Sequence, residues 1–559
     1  MKLKGLGNRA YNVMFHTHTV AGIVISFALF VIFYAGAFSL FRHDVAQWEN
    51  PDRRQPLVEV LDYDKVLAKV DSAYELNFHE TTNLVFPSEE DPLFYVYGAY
   101  SDTDTTTKRM RAYVSPQDLH IQDIDDPKTT ASLTIYYLHY FRQIPVIGLF
   151  LSGFVGLFFL FAVVTGVLVH WRNLLTKFYA FVREGKWKNI WTNAHTVLGV
   201  IGLPFQVMYA ITGTFFGLLT LILIPSVFLL YDGDQSKLVA KVFPLQALEV
   251  AEDAPPADNM SLNVLASQVE EMYPNHYIRS VQLRNYGMEG ALATWNIDDG
   301  IGMHASGSIV TEMKDGSMIE EYSVIPDAKP YSGNVIDYIF KLHFASFGGR
   351  PLRVIYFILS MITCFMIISG VLIWRTARDN NLYTYKQKLF HHRVTKWYLA
   401  ICLSMFPAFA IIFLANKMVP MEMASRTILV NRIFFLSWLA LTVVGAFWNK
   451  YSQQNRNYLI IGGLLSLIIP IANGVTTGGW VWNIWDTYPS VAYVDLFWFF
   501  AGITALYLSF FVLKVKPETD TPQQPEEEKV QEPKKEKVVV PGPLKELVLK
   551  FKSLRSTSA

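Results

Sequence analysis

Four histidines stand at recurring places among long apolar runs, and a fifth stands beside them. His18 opens the stretch His18-Thr-Val-Ala-Gly22 and His195 opens His195-Thr-Val-Leu-Gly199, and 18 residues beyond each histidine stands a glycine, Gly36 and Gly213. His139 and His343 each follow a leucine, and 27 residues beyond each is the glycine of a Gly-Val-Leu triplet, Gly166 and Gly370. His170 follows the first triplet at a place where the second half carries Trp374. Ionisable side chains at membrane depth are rare and are usually there for function. Neutral imidazoles without carboxylate or thiolate partners suit the two axial positions of a b-type haem, which leaves the iron able only to pass electrons.

The histidines divide into two groups. A helix joining His139 to His170 would set them roughly 46 Å apart at about 1.5 Å per residue, so they cannot share one iron. The outer group is His139 and His343, with His43 nearby; the inner group is His18, His170 and His195, with His16 nearby. The expectation is two haem b groups. A symmetric inner pair is His18 with His195 and an asymmetric one uses His170; the sequence leaves both open. His391 and His392 read as surface residues of a basic loop, and His79, His120, His276 and His304 belong to polar segments.

The elements that must position these residues are membrane helices. Of 559 residues 52% are hydrophobic and 17% charged, and a bilayer core of about 30 Å takes about 20 apolar residues per span. Eight runs meet or approach that length: 20–41, 144–171, 197–231, 352–374, 397–420, 428–448, 458–475 and 491–513. The third contains Pro204 and Pro225 and predicts a tilted, kinked or protruding helix; the seventh is the shortest. The 48 basic and 48 acidic side chains cancel, so no overall positive field points to nucleic acid. The two cysteines, Cys364 and Cys402, form no CxxC, which excludes iron–sulfur ligation, attached c-type haem and a disulfide scaffold.

Basic residues flanking short loops stay on the cytoplasmic side. They gather at the N-terminus (Lys2, Lys4, Arg9), in the loop 171–193 and in the loop 375–397. The segments 44–138 and 231–340 are acidic instead, 18 acids against 8 bases and 17 against 6, and are expected outside. The matching units, helix, acidic segment, helix, occur twice in one orientation, which predicts a pseudo-twofold axis along the membrane normal with the functional centre between the halves.

The fold expected is a membrane all-α bundle of about eight spans built on a twofold internal repeat, with two small α+β periplasmic domains. Residues 1–43 hold the N-terminus and first span, 44–138 the first outer domain, 139–230 the second span, a cytoplasmic loop and the third span, and 231–340 the second outer domain. Residues 341–375 are the fourth span, 376–513 a cytoplasmic loop and spans five to eight, and 514–559 a Pro/Glu/Lys-rich cytoplasmic tail too polar to bury a core. Both termini are expected in the cytoplasm.

Taken together, His18 with Gly22 and Gly36, Phe41-Arg-His-Asp-Val-Ala-Gln-Trp48, Gly166-Val-Leu-Val-His-Trp-Arg172, Leu342-His-Phe-Ala-Ser-Phe-Gly-Gly349 and Leu414-Ala-Asn-Lys-Met-Val-Pro420 resemble the PepSY-associated transmembrane-helix family. The branch they resemble is the inner-membrane ferric-siderophore reductases, over about residues 10 to 515. The resemblance implies PepSY-like periplasmic domains, two haem b held by His18, His139, His170, His195 and His343, and one-electron reduction of a ferric siderophore for iron release, with electrons from a quinol or a cytoplasmic reductase. His43 departs from the family, where an acidic residue more often precedes the Trp. The acidic outer surface predicts a neutral or cationic chelate. A siderophore or peptide transporter, or a membrane-anchored module that regulates a peptidase, is the rival reading; a transporter's polar pathway fits poorly with spans one to four, which carry almost no charge.

Overall fold

The computed structural model describes residues 6–56, 58, 60–103, 106–123, 128–171, 187–235, 237–238, 251, 254–300, 306–320, 323–325, 331–512 and 522. Most of the basic loop 171–193, His304 and, Pro522 apart, the tail 514–559 lie outside the described residues.

Among the described residues eight helices are long and apolar enough to cross a membrane, and the chain is a multi-pass membrane protein. Four belong to the repeated part: α1 (Asn8–Ser39), α5 (Ile147–His170), α7 (Leu203–Leu230) and α10 (Gly349–Ala377). Four follow: α11 (Tyr385–Met418), α12 (Arg426–Phe447), α13 (Tyr451–Thr477) and α15 (Pro489–Val512), the last preceded by the short α14 (Val481–Ile484). The seventh span, read as the shortest run, is a full 27 residues. The long third run is two helices. α6 (Trp187–Ile201) ends at Gly202, and Pro204 sits in the first turn of α7, where its missing N–H costs nothing.

Two short helices carry the other histidines. α4 (Ala131–His139) ends on His139 and α9 (Tyr331–Phe344) ends one residue after His343. Phe141 and Ala345, each two residues past its histidine, have φ of 58° and 51°. That left-handed backbone, uncommon for side-chain-bearing residues, turns the chain away and leaves each imidazole at a helix end. α11 starts at Tyr385, well inside the stretch read as a basic loop.

The two acidic segments build one sheet. The first contributes α3 (Tyr63–Tyr74), β1 (Thr82–Val85), β2 (Phe94–Thr103), β3 (Thr106–Val114) and β4 (Ile121–Asp123); the second contributes α8 (Leu262–Met272), β5 (Tyr277–Arg284), β6 (Leu292–Asp298) and β7 (Gly307–Glu312). The order is β4-β3-β2-β1-β5-β6-β7, antiparallel throughout, with Leu84 opposite Val281 at the seam. The expected pair of domains is therefore a single layer with one core, in which Leu67 and Val70 of α3 join Leu265 and Val269 of α8 over Val96, Leu283 and Trp295. Each half alone is a sheet of three or four strands with an unpaired edge. The helices also cap each other: Asp64 accepts from the Leu262 and Asn263 amides at 2.8 and 3.2 Å, and Asn263 Oδ1 accepts from the Tyr63 amide at 2.8 Å.

A buried polar clamp ties the repeated part to the last four spans. It starts in α2 (Arg42–Glu49), just past α1. Glu49, fully buried, accepts from the Ala131 amide (2.7 Å), the Ser132 amide and hydroxyl (3.1 and 2.6 Å) and Asn416 Nδ2 (2.7 Å). Trp48 Nε1 donates to Asp495 at 2.7 Å, Asn473 donates to the same carboxylate at 2.8 Å, and Lys417 Nζ stands 4.0 Å from the Trp48 ring centre while bonding its carbonyl. The Trp48 and Leu414–Pro420 motifs meet here. Glu49→Gln replaces an acceptor oxygen with a donor where four donors converge. It should lower stability by about 1–3 kcal/mol, read as a fall in the melting temperature of the detergent-solubilised protein, whereas Asp52→Asn, at the half-exposed ion pair with Lys128, should change it little.

Candidate functional site

The apolar bundle brings the histidines together in two facing pairs. His18 of α1 faces His195 of α6 with ring centres 6.1 Å apart and planes at 72°. His139 of α4 faces His343 of α9 at 6.0 Å and 45°. The second pair lies on the side of the bundle that carries the sheet, the first on the opposite side. Of the inner group, His18 is the ring that faces His195, and His170 closes α5 within electrostatic reach of His195.

Each imidazole is held in one way. His18 Nδ1 donates to the Ala162 carbonyl at 2.8 Å, His195 Nδ1 to Met366 at 2.9 Å and His139 Nδ1 to Ile32 at 2.9 Å. Four residues on from each accepting carbonyl is a glycine of the repeated pattern: Gly166, Gly370 and Gly36. A Cβ there would lie 3.1 Å from His18 Cε1, 3.1 Å from His195 Cε1 and 2.7 Å from His139 Nδ1. The helix wall is bare where the ring rests, and the carbonyl within reach is the one whose own helical partner is that glycine's N–H. The fourth differs. His343 Nδ1 bonds Thr212 Oγ1 at 2.8 Å, and because that hydroxyl donates to the Met208 carbonyl at 2.9 Å it accepts from His343. Gly213 accordingly has nothing within 4 Å of a built Cβ.

A carbonyl only accepts, so the bonded Nδ1 atoms carry the protons and Nε2 of all four rings presents a lone pair. This is the tautomer of a metal-ligating histidine whose other nitrogen is fixed by a backbone acceptor. Two metal–imidazole bonds of about 2 Å each, plus about 1 Å from each nitrogen to its ring centre, sum to about 6 Å, the separation seen in both pairs. Among the described residues no cluster of three or more His, Cys, Asp and Glu gathers as a bare metal ion would require. Two imidazoles facing in this way suit a metal that brings its own equatorial ligands, as haem iron does. The donor sets fit haem. Around His343 the walls are Tyr209 (5.1 Å), Phe216 (4.9 Å) and Phe344 (5.4 Å).

The remaining candidates lie elsewhere. His16 is exposed and edges Phe15. His43 has both ring nitrogens engaged, Nδ1 with Asp91 at 3.2 Å and Nε2 accepting from Arg42 at 3.1 Å. Burial raises the cost of the Asp91 charge, but the hydrogen bond from His43 and the Arg53 charge outweigh it and hold that carboxyl below its ordinary range. His391 and His392, read as surface residues, are not alike: His392 is buried, stacked on Tyr451 and bonded to its hydroxyl at 2.8 Å, while His391 is half-buried edge-on to Trp374 at 5.0 Å. The reason is the early start of α11, which packs this stretch against the bundle. Cys364 and Cys402 are both free and buried. Sequence reasoning missed Thr212 and the three carbonyls; only the glycines signalled where the rings would rest.

The geometry makes an asymmetric prediction. Gly36→Ala should displace the His139 ring and reduce haem per chain by up to half in a pyridine haemochrome assay, while Gly213→Ala should leave it unchanged.

The family model of the PepSY-associated TM region matches residues 15–377, which contain all four paired histidines, the whole sheet and the four spans of the repeated part. No curated protein matches the chain at a significant level. With nearly two thirds of its length covered by that match, the chain belongs to the PepSY-associated transmembrane family.

Proposed function

We propose that the protein is a di-haem b oxidoreductase of the bacterial inner membrane that carries electrons across the bilayer and reduces a ferric siderophore at its sheet side, taken to be periplasmic. The observation that carries this reading is the pair of imidazole pairs, at 6.1 and 6.0 Å, on opposite sides of one apolar bundle with Nδ1 tied down in every ring. Haem b at both places would supply reversible one-electron chemistry. His18 and His195 would hold the group on the cytoplasmic side, and His139 and His343 the group next to the sheet. The Ala162, Met366 and Ile32 carbonyls and the Thr212 hydroxyl keep the rings from turning and make Nε2 more basic. The rings of Tyr209, Phe216 and Phe344 give the His343 site an apolar lining.

The substrate chemistry is a gain of one electron by chelated Fe(III). Hard oxygen donors prefer Fe(III), so the Fe(II) product leaves such a chelator more readily. The electron donor, a quinol or a cytoplasmic reductase, would act beside His18, His195 and His170. Cytoplasmic termini accord with the Lys and Arg clusters at the N-terminus and in the loop 375–397.

The test is a visible spectrum of the purified protein, oxidised and then dithionite-reduced. A reducible Soret band with two haems per chain is expected, and its absence would end the proposal. His139→Ala or His343→Ala should each remove one haem, His18→Ala or His195→Ala the other, and His16→Ala and His43→Ala neither. The reduced wild type should be reoxidised by a ferric siderophore, and the His139→Ala protein should be reoxidised at least about tenfold more slowly, one decade being about 1.4 kcal/mol of barrier.

A further inference from the structure

The first half of the sheet has a face that the electron path does not use. In the register of β2 with β3, Tyr95 stands opposite Tyr113, Tyr97 opposite Arg111 and Ala99 opposite Arg109. Alternation buries Phe94, Val96, Met110, Ala112 and Val114 in the core under the helices, and therefore turns Tyr95, Tyr97, Arg109, Arg111 and Tyr113 to the other face. The Tyr95 and Tyr113 rings are 5.3 Å apart, Arg111 lies 5.8 Å from the Tyr97 ring, and Arg109 bonds the Tyr97 hydroxyl. No acid stands among residues 94–99 or 109–114.

A second group of the same composition stands on α4. Tyr136, Tyr137 and Tyr140 are half-exposed and edge one another at 5.1 to 6.2 Å. Arg42 stands 5.0 Å from the Tyr136 ring, Arg142 stands 5.2 Å from that of Tyr137, and Tyr137 is within electrostatic reach of Tyr95. These tyrosines are the immediate neighbours of His139; Tyr136 precedes it by three residues, about 4.5 Å along the helix axis.

Six of the segment's 18 acids are engaged away from this face. Asp62 and Asp64 cap helices, Glu49 is inside the clamp, Asp91 is held by His43 and Arg53, Asp44 by Arg350 and Glu90 by Arg353. Strand alternation thus sorts the charges, and the surface beside the outer histidine pair is aromatic with a rim of guanidinium groups. Flat rings and guanidinium forks match aromatic oxygen anions, by stacking and by charge-assisted hydrogen bonds. A headgroup anchor would need one layer of such residues at the membrane edge, but this surface climbs from α4 across two strands.

We propose that this tyrosine–arginine surface is the chelate-binding site and that it selects ferric chelates with anionic aryl-oxygen donors, catecholate or phenolate. The inference rests on the reductase reading above and reverses the neutral or cationic chelate that composition predicts.

Equilibrium dialysis with radiolabelled iron tests it, on the full-length protein in neutral detergent, with two probes: a trianionic ferric tris-catecholate and a monocationic ferric trihydroxamate. The tris-catecholate should bind about tenfold tighter or more. Arg111→Gln combined with Arg142→Gln should weaken it by a further factor of about ten or more, since a hydrogen bond to a charged group contributes about 1.5–3 kcal/mol. The corresponding double Lys variant should retain most of the binding, which separates loss of charge from loss of fold. Equal or tighter binding of the hydroxamate, an unchanged double Gln variant, or displacement of the tris-catecholate by anionic phospholipid as effectively as by unlabelled chelate would each overturn the proposal. The two readings fail separately. A protein with two reducible haems and no preference for the anionic chelate loses this inference alone. Preferential binding that persists in a protein without haem leaves the site and removes the reductase reading.

Discussion

Everything about the candidate centres depends on one hydrogen bond, from imidazole Nδ1 to an acceptor on the neighbouring helix. In lipid a histidine ring with an unsatisfied N–H is costly, and a helix wall offers few acceptors because its carbonyls already serve the N–H four residues on. A glycine at that fourth residue removes the side chain that would cover the carbonyl, so the ring reaches it. Ala162 with Gly166, Met366 with Gly370 and Ile32 with Gly36 are three instances of one solution. At His343 a threonine hydroxyl does the same work, and the glycine beside it is left without a ring to seat.

That bond fixes ring orientation but not ring separation. Separation is set by where the helices carrying the histidines end and cross. α4 and α9 stop at His139 and one residue past His343, and the left-handed Phe141 and Ala345 redirect the chain before the next span. Non-glycine residues hold such backbone only where surrounding packing over-determines it. α1 and α6 instead carry His18 and His195 within continuous helix, and α6 is free to take its own angle because the chain breaks at Gly202 ahead of Pro204.

Outside the lipid, two further constraints hold the halves in relation to each other. The β1–β5 seam and the exchanged caps at Asp64 and Asn263 make the acidic segments one body, so the helices entering and leaving each segment are anchored to a common layer. The clamp at Trp48, Glu49, Lys417 and Asp495 fastens that region to the last four spans through hydrogen bonds that satisfy the buried Glu49 and Asp495 charges. Removing one partner of such an arrangement costs far more than the arrangement contributes against an apolar substitute. This explains how motifs far apart in sequence, at Phe41–Trp48 and Leu414–Pro420, serve one place.

The sequence by itself determined the eight spans, the α+β character of the outer segments, and the four histidines with their glycines. All of these follow from period and length, which are local properties: about 20 apolar residues can only cross a bilayer as a helix, and alternation along β2 and β3 had to divide Val96 from Tyr97. Pairing is not local. Which imidazole faces His195 depends on where α1 and α6 cross, and nothing in the order of residues ranked His18 over His170. The merging of two acidic segments into one sheet, the burial of His392 and the gathering of Arg42, Arg111 and Arg142 on the tyrosines of β2 and α4 were decided by tertiary structure alone. Edge pairing, helix packing and the facing of surfaces join residues tens to hundreds of positions apart, and their energies depend on shape and burial that composition does not record.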